Sequence, residues 1–74
     1  MTHTTAQILA SPITIELLHA ATSGDITYSP DGWMLYGSIA VDGSLRRLVA
    51  DDLIELPPTG PILTARGEDI VAMS

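Results

Sequence analysis

The chain contains no cysteine, no lysine and no phenylalanine among its 74 residues. Without cysteine, disulfide scaffolds, thiolate metal sites and cysteine nucleophiles are all excluded. Without lysine, Arg46, Arg47 and Arg66 are the only permanently cationic side chains, set against nine carboxylates for a formal charge of −6. A protein that binds nucleic acid through phosphates wants a basic face, so any positive patch here must be local. There is no Walker lysine and no glycine-rich phosphate loop. No uninterrupted apolar run approaches the roughly 20 residues of a membrane span. The segment Met1–Thr5 carries no basic cluster and leads into no long apolar block, so it does not read as a secretory leader, and the expected location is cytoplasmic.

What is present is a chain 46% hydrophobic and only 16% charged, which excludes an acidic disordered tail. The length allows a single small domain. Its aromatic residues are Tyr28, Trp33 and Tyr36, so small aliphatic side chains must fill most of the interior. A core of this size supplies only about 3–5 kcal/mol, and a partner chain or homodimer would add to it.

Residues 1–10, rich in Thr and Ala, read as a flexible N-terminal arm, and residues 11–74 as the domain. Ser11-Pro12 is a helix start, with Ser11 as cap and Pro12 at the first helical position. Ile13, Leu17, Ala20 and Ala21 then recur at helical spacing, giving a helix over Pro12–Thr22 that Gly24 ends. The period changes to two at Ile26, Tyr28, Trp33 and Leu35. Ser29-Pro30-Asp31-Gly32 is turn chemistry, so Asp25–Gly37 reads as a β-hairpin. Trp33 and Leu35 are assigned to the core, and Met34 and Tyr36 to the opposite face. Ser38–Val41 is ambiguous. Asp42-Gly43-Ser44 offers a cap for a helix over Gly43–Asp52. Ile54-Glu55-Leu56 is a short strand, Pro57–Gly60 a turn and Pro61-Ile62-Leu63 a return strand. Thr64 caps a last helix, Ala65–Met73.

The run Leu45–Leu56, then Pro57–Pro61, then Ile62–Val71 resembles the second half of winged helix-turn-helix domains of the MarR and PadR type, matched over residues 44–71. There a helix leads into a "G-L-I/V-E" strand, a wing turn, a strand ending "L-T-x-x-G" and a final helix. In this sequence Leu45 and Leu48 match the helix core, Leu53-Ile54-Glu55 the entry to the wing, Pro57, Pro58, Thr59 and Gly60 the wing tip, and Leu63-Thr64 with Gly67 the second wing strand and the last helix. The missing side chain of Gly67 would let that helix approach the wing strand closely. The hairpin stands where the usual plan has a second helix. The resemblance implies an α+β, small winged-helix-like domain: helix, β-hairpin, helix, two-stranded wing, C-terminal helix. It implies a bacterial or phage transcription-regulatory protein that binds DNA.

On that reading Ser44, Arg46, Arg47 and Ala50 lie on the recognition helix, and Arg66 adds a phosphate contact near the wing. The plainer reading pairs Arg47 with Asp51 at i,i+4, and Arg66 with Asp69 or Glu68. The competing class is an acidic protein-interaction module, an adaptor or nucleic-acid mimic. It would act through its carboxylates and through Met34, Tyr36, Asp51 and Asp52. Two observations separate the classes. DNA binding needs Arg46 and Arg47 exposed together with nearby acids turned away, whereas an adaptor needs contiguous acids or an exposed apolar patch. His3 and His19 have no partner at ligand spacing, so no metal site and no cofactor is expected. No serine has a base and an orienting group beside it, and the chain reads as a non-enzyme.

Overall fold

The computed structural model describes residues 3–74. Helix α1 spans Thr5–Leu9 and α2 spans Pro12–Ser23; strands β1 (Ile26–Ser29), β2 (Gly32–Leu35) and β3 (Ile39–Ala40) follow. Helix α3 is Asp42–Ala50, strands β4 and β5 are Ile54–Glu55 and Ile62–Leu63, and α4 is Ala65–Met73. The architecture is α+β, with the winged-helix-like order of helix, hairpin, helix, two-stranded wing and C-terminal helix. Five fully buried side chains tie these parts together: Leu18 from α2, Leu45 from α3, Leu53 and Ile54 at the wing entry, and Ile70 from α4.

The segment expected to be a loose arm is instead partly helical. Thr4 and Gln7 form a reciprocal capping box, with the Gln7 N–H donating to Thr4 Oγ1 at 3.2 Å and the Thr4 N–H donating to Gln7 Oε1 at 2.9 Å. Ile8 is buried in the core, and α1 packs on α2 and α4. The first two residues of the expected arm lie outside the described residues.

In α2 the Ser11 hydroxyl accepts the Thr14 N–H and Pro12 opens the helix, while Gly24 closes it at φ 80°, one residue beyond the expected boundary. The Ser29–Gly32 turn forms as read: Ser29 Oγ accepts the Asp31 N–H at 3.2 Å and donates to the Gly32 carbonyl at 3.0 Å. The ambiguous stretch becomes β3, pairing Met34 with Ala40 and Leu35 with Ile39. The three-residue connection begins with Tyr36 and Gly37 at φ 55° and 74°, the two positive values of a type I′ turn, closed by the Ser38 N–H donating to the Leu35 carbonyl at 3.2 Å.

Helix α3 begins one residue earlier and ends two residues earlier than expected. It has no side-chain cap at its start, because the N-cap position falls on the apolar Val41; Asp42 is the first helical residue, and its carboxylate faces β2, where it accepts the Trp33 N–H at 3.1 Å. It stops because Asp52 adopts φ 58°. The last helix keeps its expected bounds and cap, with Thr64 Oγ1 accepting the Gly67 N–H at 3.1 Å. A Cβ at Gly67 would collide with the Leu53 carbonyl oxygen, so the bare glycine sets how closely α4 lies on the wing.

Candidate nucleic-acid interface

Leu45 and Leu48 fix the orientation of α3, because both are buried in the core. Residues of an α-helix advance by about 100°, so the line opposite those leucines carries Gly43 and Ala50. Arg46 stands on one side of that line and Arg47 on the other, both exposed. A helix whose outermost line has almost no side chain can bring its backbone close to a surface, with the two guanidinium groups straddling the contact. Ser44 departs from the expected arrangement. It is half-buried and lines a cleft of about 270 Å³ between α3 and the α1–α2 corner, together with His3, Gln7 and Arg47.

The expected Arg47–Asp51 pair does not form. Asp51 is 5% exposed and is held by His3, whose backbone N–H donates to Oδ1 and whose Nδ1 lies against Oδ2, both at 2.8 Å. Arg66 completes this junction. Its guanidinium donates to the backbone carbonyls of Asp51 and, at 2.8 Å, of His3. Burial raises the Asp51 pKa, but the His3 bonds, the His3 ring and the Arg66 charge outweigh it and hold the carboxyl below the ordinary carboxylate range. Two site assignments are corrected by this geometry. Asp51 is an internal anchor rather than a surface carboxylate, and Arg66 is half-buried and committed to the junction rather than free beside the wing. Neither Asp69 nor Glu68 takes it.

The wing turn is closed by the Gly60 N–H donating to the Pro57 carbonyl at 3.0 Å; Pro58 and Thr59 are exposed, Pro57 and Gly60 half-buried. Trp33 packs against the core as expected, and Met34 is half-buried on β2. Tyr36 is not on a strand face with Met34, because β2 ends at Leu35 and Tyr36 sits in the following turn. Its hydroxyl donates to Glu16 Oε1 at 3.4 Å. Desolvation, followed by the negative charges of Glu16 and Asp25, raises its pKa above the usual value. Asp52 remains exposed, and its carbonyl accepts the Thr64 hydroxyl at 2.5 Å.

Among the described residues no group of three or more His, Asp or Glu is placed to hold a metal ion, and no helix is long and apolar enough to cross a membrane. The His3–Asp51 contact spans 48 positions of sequence and had no local signal to reveal it. No protein-family model matches the chain, and no curated protein and no solved structure is significantly similar to it.

Proposed function

We propose that this chain is a small, non-enzymatic winged-helix-like protein of the transcription-regulatory kind that contacts DNA through α3. The observation that carries the reading is the joint exposure of Arg46 and Arg47 astride the Gly43–Ala50 line, with Asp51 turned inward and already paired. Asp51, at the C-terminal cap of that helix, is thereby withdrawn from the arginine side, while Asp52 beside it stays exposed. The wing, Pro57–Gly60, would lie on the adjacent backbone or minor groove. With a net charge of −6 the contact must be short and local. A titration of generic duplex DNA at low salt, with an Arg46→Ala/Arg47→Ala double variant beside the wild type, tests it. Binding that the double variant abolishes supports the reading, and no binding at low salt overturns it.

A second reading, the acidic protein-interaction module, is favoured by one observation. Seven of the nine carboxylates are exposed: Glu16, Asp25, Asp31, Asp52, Glu55, Glu68 and Asp69. That reading loses Asp51 from its contact set and keeps Met34, Tyr36 and Asp52.

A further inference from the structure

The outer edge of β1 is unpaired, because the sheet order is β1-β2-β3 and β1 has a neighbour on one side only. The register sets Ser29 opposite Gly32 and Thr27 opposite Met34, and the Tyr36 N–H donates to the Asp25 carbonyl at 2.9 Å. Hydrogen-bonded and non-bonded pairs alternate along an antiparallel ladder. Ile26 and Tyr28 are therefore the residues whose backbone N–H and C=O groups turn away from β2. Among the described residues, nothing in the chain bonds to them on that side.

This edge opens onto a groove of about 510 Å³ between the three-stranded sheet and the wing. Ile26, Thr27 and Tyr28 line it consecutively, as a strand edge can and a strand face cannot, since alternate side chains point to opposite faces. Trp33 lies beside them, and Pro61 and Ile62 form part of the far wall. Tyr28 is 68% exposed and stands edge-on to Trp33 with ring centroids 5.0 Å apart. The tyrosine ring thus adds little to the core and extends an apolar platform into the groove.

Charge selects the occupant. Asp25 immediately precedes β1 and Asp31 follows it in the turn, and both are exposed. Glu55 pairs with Ile62 in the wing, beside the far wall. None of the three arginines lines the groove. A second copy adding its β1 antiparallel to this one would bring Asp25 of each strand close to Asp31 of the other, between molecules each carrying −6. Like charges across a strand pair oppose it, which is how edge strands are kept from self-association. We propose that the β1 edge and the Tyr28–Trp33 platform take an extended segment of another protein as a fourth strand, with aliphatic side chains at alternate positions and Lys or Arg at its two ends. The free backbone groups of Ile26 and Tyr28 supply the ladder, the aromatic pair takes the aliphatic side chains, and Asp25 and Asp31 select the basic ends. No residue of α3 lines the groove, so this site stands independently of the DNA reading.

Trp33 is the single tryptophan, so its fluorescence reports on the groove directly. The probe is the blocked heptapeptide Lys-Ile-Thr-Val-Thr-Ile-Arg. One control carries Glu in place of Lys and Arg, and another is N-methylated on its three central amides. The chain variant is Tyr28→Pro, which removes the platform ring and a backbone donor that β2 does not use, leaving the β1–β2 ladder intact. The expected result is a saturable change in Trp33 fluorescence with the basic peptide. Binding should be roughly 10-fold weaker for each control and for Tyr28→Pro, with the variant's circular dichroism unchanged. If Tyr28→Pro fails to fold, the N-methylated control on the wild-type chain decides alone. Absence of binding up to millimolar peptide overturns the proposal, as does equal binding of the acidic or N-methylated control. A sedimentation dimer that Tyr28→Pro dissociates also overturns it, by giving the edge to a second copy.

Discussion

Asp51 receives the backbone N–H and the ring Nδ1 of His3 at the same distance, 2.8 Å, on its two carboxylate oxygens. Arg66 then bonds to the backbone carbonyls of both residues, so three segments far apart in sequence close one junction at the end of α3. Asp51 is turned toward the protein, which leaves Arg47 without its i,i+4 partner. The same junction makes the start of the described chain part of the domain.

The junction has a pH dependence of definite sign. The Asp51 carboxyl titrates below its ordinary value in the folded chain, so folding favours its ionised form. That stabilisation is complete above the usual carboxylate value, near pH 4, and is lost as pH falls through the lowered folded value. Thermal melts of the wild type should therefore lose stability on acidification below about pH 4 more steeply than melts of Asp51→Asn, which cannot titrate there. Parallel pH profiles for the two proteins would refute the assignment.

Arg66→Ala separates structure from binding. The substitution removes two charge-assisted bonds to backbone carbonyls and should cost about 1–2 kcal/mol in denaturant unfolding. Because its guanidinium is committed to the junction, DNA affinity measured well below the unfolding transition should stay close to wild type. A large loss of affinity at unchanged stability would return Arg66 to the interface.

Gly67→Ala tests the closest approach in the fold. The added methyl meets the Leu53 carbonyl, a backbone atom with little freedom to move. The expected loss is about 3 kcal/mol, the scale of overpacking in a filled interior. Gly43→Ala, at a helical position with open space around it, should be neutral or slightly stabilising in the same assay. Equal effects at the two glycines would remove the close-approach argument.

Local chemistry made much of this legible in the sequence. Ser11-Pro12, Ser29–Gly32 and Thr64 with Gly67 each carry their own short-range reason, and those elements lie where the sequence places them. Leu45 and Leu48 likewise set which side of α3 faces out. The failures share a different origin. Helix α1 is only five residues long with one buried side chain, so it has no period to detect. Asp42 looks like a cap but is drawn to the Trp33 N–H by tertiary contact. Tyr36 gives no turn signal, because tyrosine is not a residue that favours a left-handed conformation. Asp51 and Arg66 read as surface charges until the start of the chain is folded against them.

Tyr36 supplies a test of that last turn. Its φ of 55° is disfavoured for a side chain with a bulky Cβ substituent, whereas asparagine visits this region readily. The 3.4 Å bond to Glu16 is long and exposed and returns little. Tyr36→Asn should therefore raise the melting temperature by about 3–5 °C. A lower melting temperature would mean that the ring carries packing that its exposure does not suggest.

The salt dependence of DNA binding tests the functional reading most directly, because it counts phosphates. Two arginines flank the outer line of α3 and the third is committed elsewhere, so on the proposed DNA reading about two phosphates would be neutralised. The logarithm of the association constant should fall with the logarithm of salt concentration at a slope near −2, by about −0.9 for each phosphate contact. Arg46→Ala and Arg47→Ala should each flatten that slope by about 1 and weaken binding to all duplex sequences alike, unless one of them reads a base edge. In that case its loss should instead cost about 1–3 kcal/mol on the preferred sequence only. A slope well beyond −2 would require cations that this chain does not possess, and would point to a dimer presenting two copies of α3. No binding at low salt, in the wild type and the double variant alike, would leave the exposed carboxylates as the surface through which the protein acts.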